Sequence, residues 1–389
     1  MPDRRLFLKL AGATGITAVG PRMAFASAPT EKRLVVLVLR GGLDGLHAVP
    51  FYADPEYARL RPKLALAPPG EAGGALDLDG RFGLHPALAS LHRLYREGEM
   101  LVVPAATTRY RNRSHFDGQN LLENGTGIPF GAKDGWLNRA IASLDRGERR
   151  LGLALGPAVP LLLQGPAPVA TWADSPLPRA DEDFLRRLAH AYRGDPLFAR
   201  VLADAGGSMA PSMGGEAERG KELEMAGSAA GQLLAREDGP RVAAIESQGW
   251  DTHFGQDWRL ARLFGQLSAG IVALKNGLGA HWPGTVVMVV SEFGRTAAEN
   301  GSEGTDHGVG GLALLLGGAV NGGRVAGDWP GLSGTALYEG RDIRPTTAYE
   351  SLFKAALIGH LDVSAAVVED EVFPDSRGLK PAENLFRTA

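Results

Sequence analysis

The sequence predicts an α/β fold in which a mostly parallel central sheet is sandwiched between helices. Several short runs are continuously apolar rather than alternating: Leu34–Leu39 (LVVLVL), Met100–Ala106 (MLVVPAA), Val242–Ile245 (VAAI) and Val286–Val290 (VVMVV). Strands of this kind are covered on both faces, which is the usual state of a parallel strand. Helix-length segments separate the runs, and each run leads into a polar, glycine-bearing loop. In sheets of this type the functional loops stand at the carboxyl ends of the strands. The chain has 389 residues and 44% hydrophobic content, enough to bury one large core.

At the N-terminus, residues 1–28 read as a twin-arginine export signal. Arg4–Arg5 is followed by Phe7, Leu8 and Lys9, a modestly apolar stretch, and small residues at Ala24, Ala26 and Ala28 that suit a signal peptidase. A membrane anchor is the competing reading, but the apolar stretch is shorter than the about 20 residues that a span needs. The expected mature protein is therefore residues 29–389. It is periplasmic or secreted, has no stable membrane span, and meets the twin-arginine translocase as a partner during export. Helical spacing of leucines and aromatics predicts helices at His85–Glu97, Trp258–Leu278 and Thr347–Gly359. Residues 151–240, rich in Ala, Pro and Gly, read as an insertion or cap on a single domain, and the GGSMAPSMGG patch within them as a loop.

Composition excludes several function classes. The 41 Lys and Arg nearly balance 44 Asp and Glu, for a formal net charge of −3. No basic footprint argues for nucleic acid or an anionic membrane, so a small-molecule or protein partner is expected. The chain has no cysteine, which removes disulfides, thiolate metal sites and cysteine nucleophiles. Any metal must be held by oxygen and imidazole nitrogen.

Four loops carry candidate chemistry. After the first strand, RGGLDGLH offers Asp44, either as a metal-facing carboxylate or as the start of an Asx turn. RYRNRSHFDGQ holds Ser114 and His115. Ser114 with Asp117 makes a Ser-x-x-Asp capping pattern, yet the same helix start would stabilise an anion and a hydroxyl attacking it. Arg109, Arg111 and Arg113 are candidate clamps for an oxyanion, and His115 is a ligand, a base or a buried ring. GWDTH spaces Asp251 and His253 two apart, so an extended backbone projects both to one face. SEFGRTAAENGSEGTDHG supplies Glu292, Arg295 and the adjacent pair Asp306–His307, with Gly304 and Gly308 expected to let a ligand approach the backbone.

Asp44, Ser114, His115, Asp251, His253, Glu292, Asp306 and His307 thus fall in loops that the sheet brings to one rim. A sulfur-free site of this kind suits a divalent metal ion: zinc, manganese, magnesium or calcium. Its natural chemistry is attack on a phosphate or sulfate ester. At RGGLDGL, RSHFDGQ, GWDTH, SEFGRT, ENGSEGTDHG and GGRVAGDWPGL the chain resembles the exported family DUF1501, which is often called sulfatase-like and grouped with the alkaline phosphatase superfamily. That resemblance implies an alkaline-phosphatase-like α/β/α sandwich with metals at the strand ends and a hydroxyl nucleophile at a helix start, here Ser114. The leading expectation is an exported, metal-dependent hydrolase of a small-molecule anionic ester, with Ser114, His115 and Arg295 at the reaction centre. Asp44, Asp251, His253, Glu292, Asp306 and His307 are the expected metal-site residues. The alternatives are a non-catalytic extracytoplasmic binding protein on the same fold with a degenerate metal site, and a metal-free hydrolase using Ser114 with a histidine base.

Overall fold

Continuous apolar runs become buried strands, as the sequence requires. The computed structural model describes residues 30–144, 150–174, 182–195 and 220–387. The export-signal reading of residues 1–28 and the loop reading of GGSMAPSMGG lie outside these residues. The helix Glu182–Ala191 (EDFLRRLAHA) belongs to a separate unit; the main unit carries everything that follows.

The main unit is built on a nine-stranded sheet. Its strands are β1 (Arg33–Leu39), β2 (Met100–Thr107), β3 (Gly152–Leu155), β4 (Val169–Trp172), β5 (Val242–Ser247), β6 (Thr285–Val290), β7 (Gly311–Leu316), β8 (Arg324–Val325) and β9 (Thr347–Ala348). Their order is β8-β2-β7-β6-β1-β5-β3-β4, with β9 also paired to β2. β1 runs parallel to both β5 and β6, with Leu34 opposite Val242 and Val286. β7 is the exception, antiparallel to both β2 and β6. Because β7 opposes both, β2 points the same way as β6, and the sheet is mostly parallel as expected. Every residue of β1, β2, β6 and β7 is buried, which is why the runs show no alternation.

Helices cover both faces. α1 (Ala89–Arg96) follows a 3-10 turn at Pro86–Leu88, so His85–Glu97 is helical in two pieces. α2 (His115–Asn124) ends at Gly125, whose φ of 67° is the left-handed stop. α3 is Trp136–Leu144, and α4 (Glu222–Leu234) lies against the 23-residue α5 (Gln256–Leu278). A Cβ on Gly227 would meet the Gly270 carbonyl at 2.2 Å, so glycine is what lets these two helices touch backbone to backbone. α6 (Tyr349–Ala355) continues into a wider turn at Ala356–His360.

The segment 151–240 corrects the expectation of a cap. Its first part supplies β3 and β4, which extend the sheet beyond β5, and its last part supplies α4. The strands β3 and β4 have four residues each and sit at the sheet margin, so little hydrophobic pattern marks them. Among the described residues no helix is long and apolar enough to cross a membrane.

Candidate functional site

The carboxyl ends of β1, β5 and β6 are adjacent in the sheet, and the loops that leave them interlock. Gly41 has a φ of +129°, and a Cβ there would lie 2.3 Å from the Asp251 amide nitrogen. Only glycine lets the loop after β1 meet the loop after β5. Trp250, fully buried, pins that second loop by donating its indole N–H to Ser247 Oγ at 3.1 Å. At the end of β6, the Ser291 hydroxyl donates to the Leu39 carbonyl at 2.6 Å and accepts from Leu43 N–H at 2.9 Å.

Three imidazoles converge above these loops. Nδ1 of His115, the first residue of α2, lies 2.7 Å from Glu292 Oε1. Nδ1 of His253 lies 3.4 Å from Asp306 Oδ1, and Nδ1 of His307 lies 3.0 Å from the Arg113 carbonyl. Each of these partners can only accept, so each Nδ1 carries the hydrogen and each neutral ring presents a bare lone pair at Nε2. Nε2 of His307 is 3.0 Å from Nε2 of His115 and 3.0 Å from Nε2 of His253. The Asp251 carboxylate joins them, with Oδ1 at 2.9 Å from His253 Nε2 and 3.2 Å from His307 Nε2, and Oδ2 at 3.5 Å from His115 Nε2. The four donors form two triangles that share the Asp251–His307 edge.

No hydrogen stands between these nitrogens when the rings are neutral, so the lone pairs repel unless a cation sits among them. A tetrahedral zinc ion with ligands at about 2.0–2.1 Å would space its ligand atoms roughly 3.3 Å apart. The contacts of 2.9–3.5 Å bracket that spacing, and ligand atoms of His115, Asp251 and His307 all lie within 4.8 Å of one another. Nδ1–H groups held by carboxylate or carbonyl are the usual outer partners of metal-binding histidines. The donor set fits a divalent metal ion.

The electrostatics carry the same demand. Burial favours the neutral form of His115, yet its hydrogen bonds to Asp251 and Glu292 raise its pKa to about 9. Without a metal, the proton is the cation that this cup takes up. Burial disfavours the Asp251 anion, but the imidazoles of His115 and His307 facing it and the hydrogen-bonded Arg295 guanidinium hold its carboxyl far below the usual range. Glu292 is fully buried and still ionised below the ordinary carboxylate range. Its Oε1 accepts from His115, from the Gly41 amide at 2.9 Å and from Gln119 Nε2 at 2.9 Å.

Several expected roles change. Asp44 is not beside the histidines. It is buried, caps the helical turn Gly45–Ala48 through the His47 amide, and pairs with Arg61 at 2.8 Å and Gln256 at 2.7 Å. Both of its oxygens are taken, so it supports the floor of the site. Arg295 is also buried rather than free to meet an anion: it donates to Asp251 at 2.6 Å, to Thr305 Oγ1 and carbonyl, and to the Gly41 carbonyl. Glu292 and Asp306 stand behind His115 and His253 rather than among the converging donors. Gly304 and Gly308 admit neighbouring backbone, not a ligand. A Cβ would meet the His253 carbonyl carbon at 2.2 Å and that of Arg295 at 2.3 Å, respectively.

Ser114 precedes α2 but makes no capping bond with its side chain, which overturns the Ser-x-x-Asp capping pattern. Its hydroxyl lies against the Tyr110 phenol, and that phenol donates to Asp117 at 3.1 Å. The three nearby arginines are already engaged. Arg109 pairs with Glu350, Arg111 donates to the Thr108 and Tyr110 carbonyls, and Arg113 pairs with Asp342 and Glu339. Arg113 adopts a left-handed φ of 60°, a conformation that costs energy in a side-chain-bearing residue. Those two ion pairs hold it there, with its carbonyl on His307.

Sequence reasoning missed the residues that aim these groups. Arg40 donates to Gln119 Oε1 at 2.9 Å, which turns the Gln119 amide nitrogen toward Glu292, and it also pairs with Glu123 and Glu246. The spacing of His115 and Gln119 by four residues on α2 was the available signal. Thr305 and Gln256 link Asp44 to Arg295 by hydrogen bonds of 2.7–3.4 Å, and nothing local announces them.

The fold and the site thus define an α/β protein with a histidine-rich, sulfur-free donor cluster at the ends of parallel strands. A family described as "Protein of unknown function (DUF1501)" matches residues 112–370, and the chain belongs to that family. No curated protein matches it by sequence. Among solved structures it is similar to Ps i-CgsB, with 12% identity, 90% of this chain and 78% of that one covered, and a TM-score of 0.39. It is similar to the alkaline phosphatase of the Antarctic bacterium TAB5, with 12% identity, 75% and 91% covered, and a TM-score of 0.36. The C-terminal periplasmic domain of EcEptC from Escherichia coli, solved as a complex with Zn, shows 10% identity, 74% and 73% covered, and a TM-score of 0.37. These likenesses are loose, and the functional reading stands on the site.

Proposed function

We propose that the chain is a divalent-metal-dependent hydrolase of phosphate or sulfate esters. The observation that carries this reading is the convergence of three Nε2 lone pairs and the Asp251 carboxylate at the strand ends. His115, Asp251 and His307 would hold the ion, with His253 at the adjoining corner. Bound there, a divalent ion would neutralise charge on the ester and lower the pKa of a nearby hydroxyl or water.

The remaining roles fall to the chain itself. Glu292, Asp306 and the Arg113 carbonyl fix the tautomers of the three rings, and Arg295 holds Asp251 in place. Ser114 is the nucleophile. Its Oγ forms the bond to phosphorus or sulfur while the bond to the organic alcohol breaks, and water then releases phosphate or sulfate and restores the hydroxyl. Tyr110, which spends its proton on Asp117, is left as an acceptor that orients the Ser114 hydroxyl. The first amides of α2, uncapped by Ser114, face developing negative charge. Turnover of 4-nitrophenyl phosphate or sulfate, abolished by chelation and by Ser114→Ala, supports this reading; equal turnover by wild type and Ser114→Ala overturns it.

A second reading, a non-catalytic extracytoplasmic binding protein, is favoured by one observation: the arginines around Ser114 are already paired. Retention of phosphate with no turnover under zinc, manganese, magnesium or calcium supports it. Export by the twin-arginine route is part of the proposal, and replacing Arg4 and Arg5 by lysine is expected to leave the protein in the cytoplasm.

A further inference from the structure

The large hydrophobic side chains exposed among the described residues are Phe116 (76%), Ile128 (64%), Phe130 (56%), Phe254 (60%) and Trp258 (62%). A single exposed apolar residue is ordinary. These five are not scattered. Phe116 follows His115 at the start of α2, and its ring centroid is 5.4 Å from that of Phe130. Ile128 and Phe130 lie on the loop after α2. Phe130 takes a left-handed φ of 59°, held by a hydrogen bond from its amide to Asn120 Oδ1, so the fold spends strain to keep this ring outside. On the other flank, Phe254 follows His253, with the Arg259 guanidinium 4.6 Å from its ring centre. Trp258, in the first turn of α5, folds back over Gly255, where a Cβ would meet its indole nitrogen at 2.7 Å.

His115 and His253 stand on either side of the Asp251–His307 edge, each 3.0 Å from His307 Nε2. Phe116 and Phe254 are the next residues in the chain after these two histidines, so each histidine is followed directly by an exposed aromatic side chain. We propose that these aromatic side chains form walls that bind the organic group of the substrate, and that this group is a planar, ring-bearing one rather than a short alkyl chain. The inference rests on the ester-hydrolase reading for the anionic end of that substrate. Flat aromatic faces take ring-shaped partners with little loss of side-chain freedom, and their burial supplies the affinity that the paired arginines do not.

Calorimetry on zinc-loaded protein separates the possibilities, using 1-naphthylphosphonate and methylphosphonate, which share an anionic head and cannot be hydrolysed. Wild type is expected to bind the naphthyl probe at least tenfold more tightly. The double variant Phe116→Ser, Trp258→Ser is expected to lose that preference while binding methylphosphonate as before, with an unchanged circular dichroism spectrum. Equal affinity for the two probes in wild type, absence of naphthyl binding, or a preference that survives in the variant overturns the proposal. So does binding to phosphatidylglycerol vesicles that the double variant loses while naphthyl preference is absent, which would assign the walls to a lipid surface. A naphthyl preference without turnover of 1-naphthyl phosphate leaves the aromatic walls in place and removes the hydrolase reading alone.

Discussion

Two histidine clusters in this chain look alike by distance and differ in chemistry. His115, Asp251 and His307 present ligand atoms within 4.8 Å of one another, and so do His47, His85 and Asp257. In the first cluster every Nδ1 faces an acceptor, so the Nε2 lone pairs are left to converge. In the second, His85 Nδ1 accepts from the Ala87 amide at 3.1 Å. That leaves the hydrogen of the neutral ring on Nε2, and His85 has no free lone pair for an ion. His47 and His85 instead pack as apolar rings, 5.2 Å apart and with His85 4.9 Å from Phe264. Burial pushes their pKa values down to about 3 and about 4. The partner behind a histidine, not the company in front of it, decides whether it can hold a metal.

The largest effect expected from this contrast is on zinc affinity. His307→Ala removes the donor shared by both triangles and should weaken zinc binding about 100- to 1,000-fold, one of four ligands' share of the roughly 10–16 kcal/mol typical of structural zinc sites. His85→Phe should leave zinc affinity unchanged in the same competition titration; a comparable loss there would erase the distinction. Next comes Asp44→Asn, which unpairs the buried Arg61. It should lower stability to urea by about 3 kcal/mol while the folded protein still binds zinc, whereas a direct ligand would fail in the opposite sense.

The buried pair should also reveal itself through pH. Folding depresses the pKa of His47 and His85, so the unfolded chain binds more protons than the native one between their native values and 6.5. Their contribution is complete above pH 6.5 and is lost as pH falls toward 4. At pH 5 each ring costs on the order of 2 kcal/mol. Asp44, Arg61 and Asp257 are the charged groups that face them. Urea midpoints measured at pH 7 and pH 5 should differ less in His85→Phe than in wild type; an identical difference contradicts the assignment. Among the outer partners of the first cluster, Glu292→Gln should weaken zinc binding 10- to 100-fold, and Asp306→Asn less, because Asp306 is half-exposed and 3.4 Å from its histidine.

Much of the fold was legible. β1, β2, β5 and β6 declared themselves because both faces of each are covered, and the polar loops fell at their carboxyl ends for the same topological reason. β7 was not anticipated: its GLALLL run follows directly on the glycine-rich loop, without a helix to set it apart. β3 and the edge strand β4 hide in a stretch whose composition resembles an insertion. At the site, the loops were found but roles were exchanged. Glu292 and Asp251 are both carboxylates after strands, and only tertiary geometry puts one behind a ring and the other in front. The Arg113 carbonyl, which orients His307, belongs to the backbone and leaves no mark in the residue type.

The most direct test is anomalous diffraction at the zinc edge from crystals of the protein grown with zinc and washed free of excess. The account predicts a peak bonded to His115 Nε2, His307 Nε2 and Asp251, about 2.0–2.2 Å from each, with none between His47 and His85. A zinc-saturated crystal with no peak among the three rim residues would contradict it.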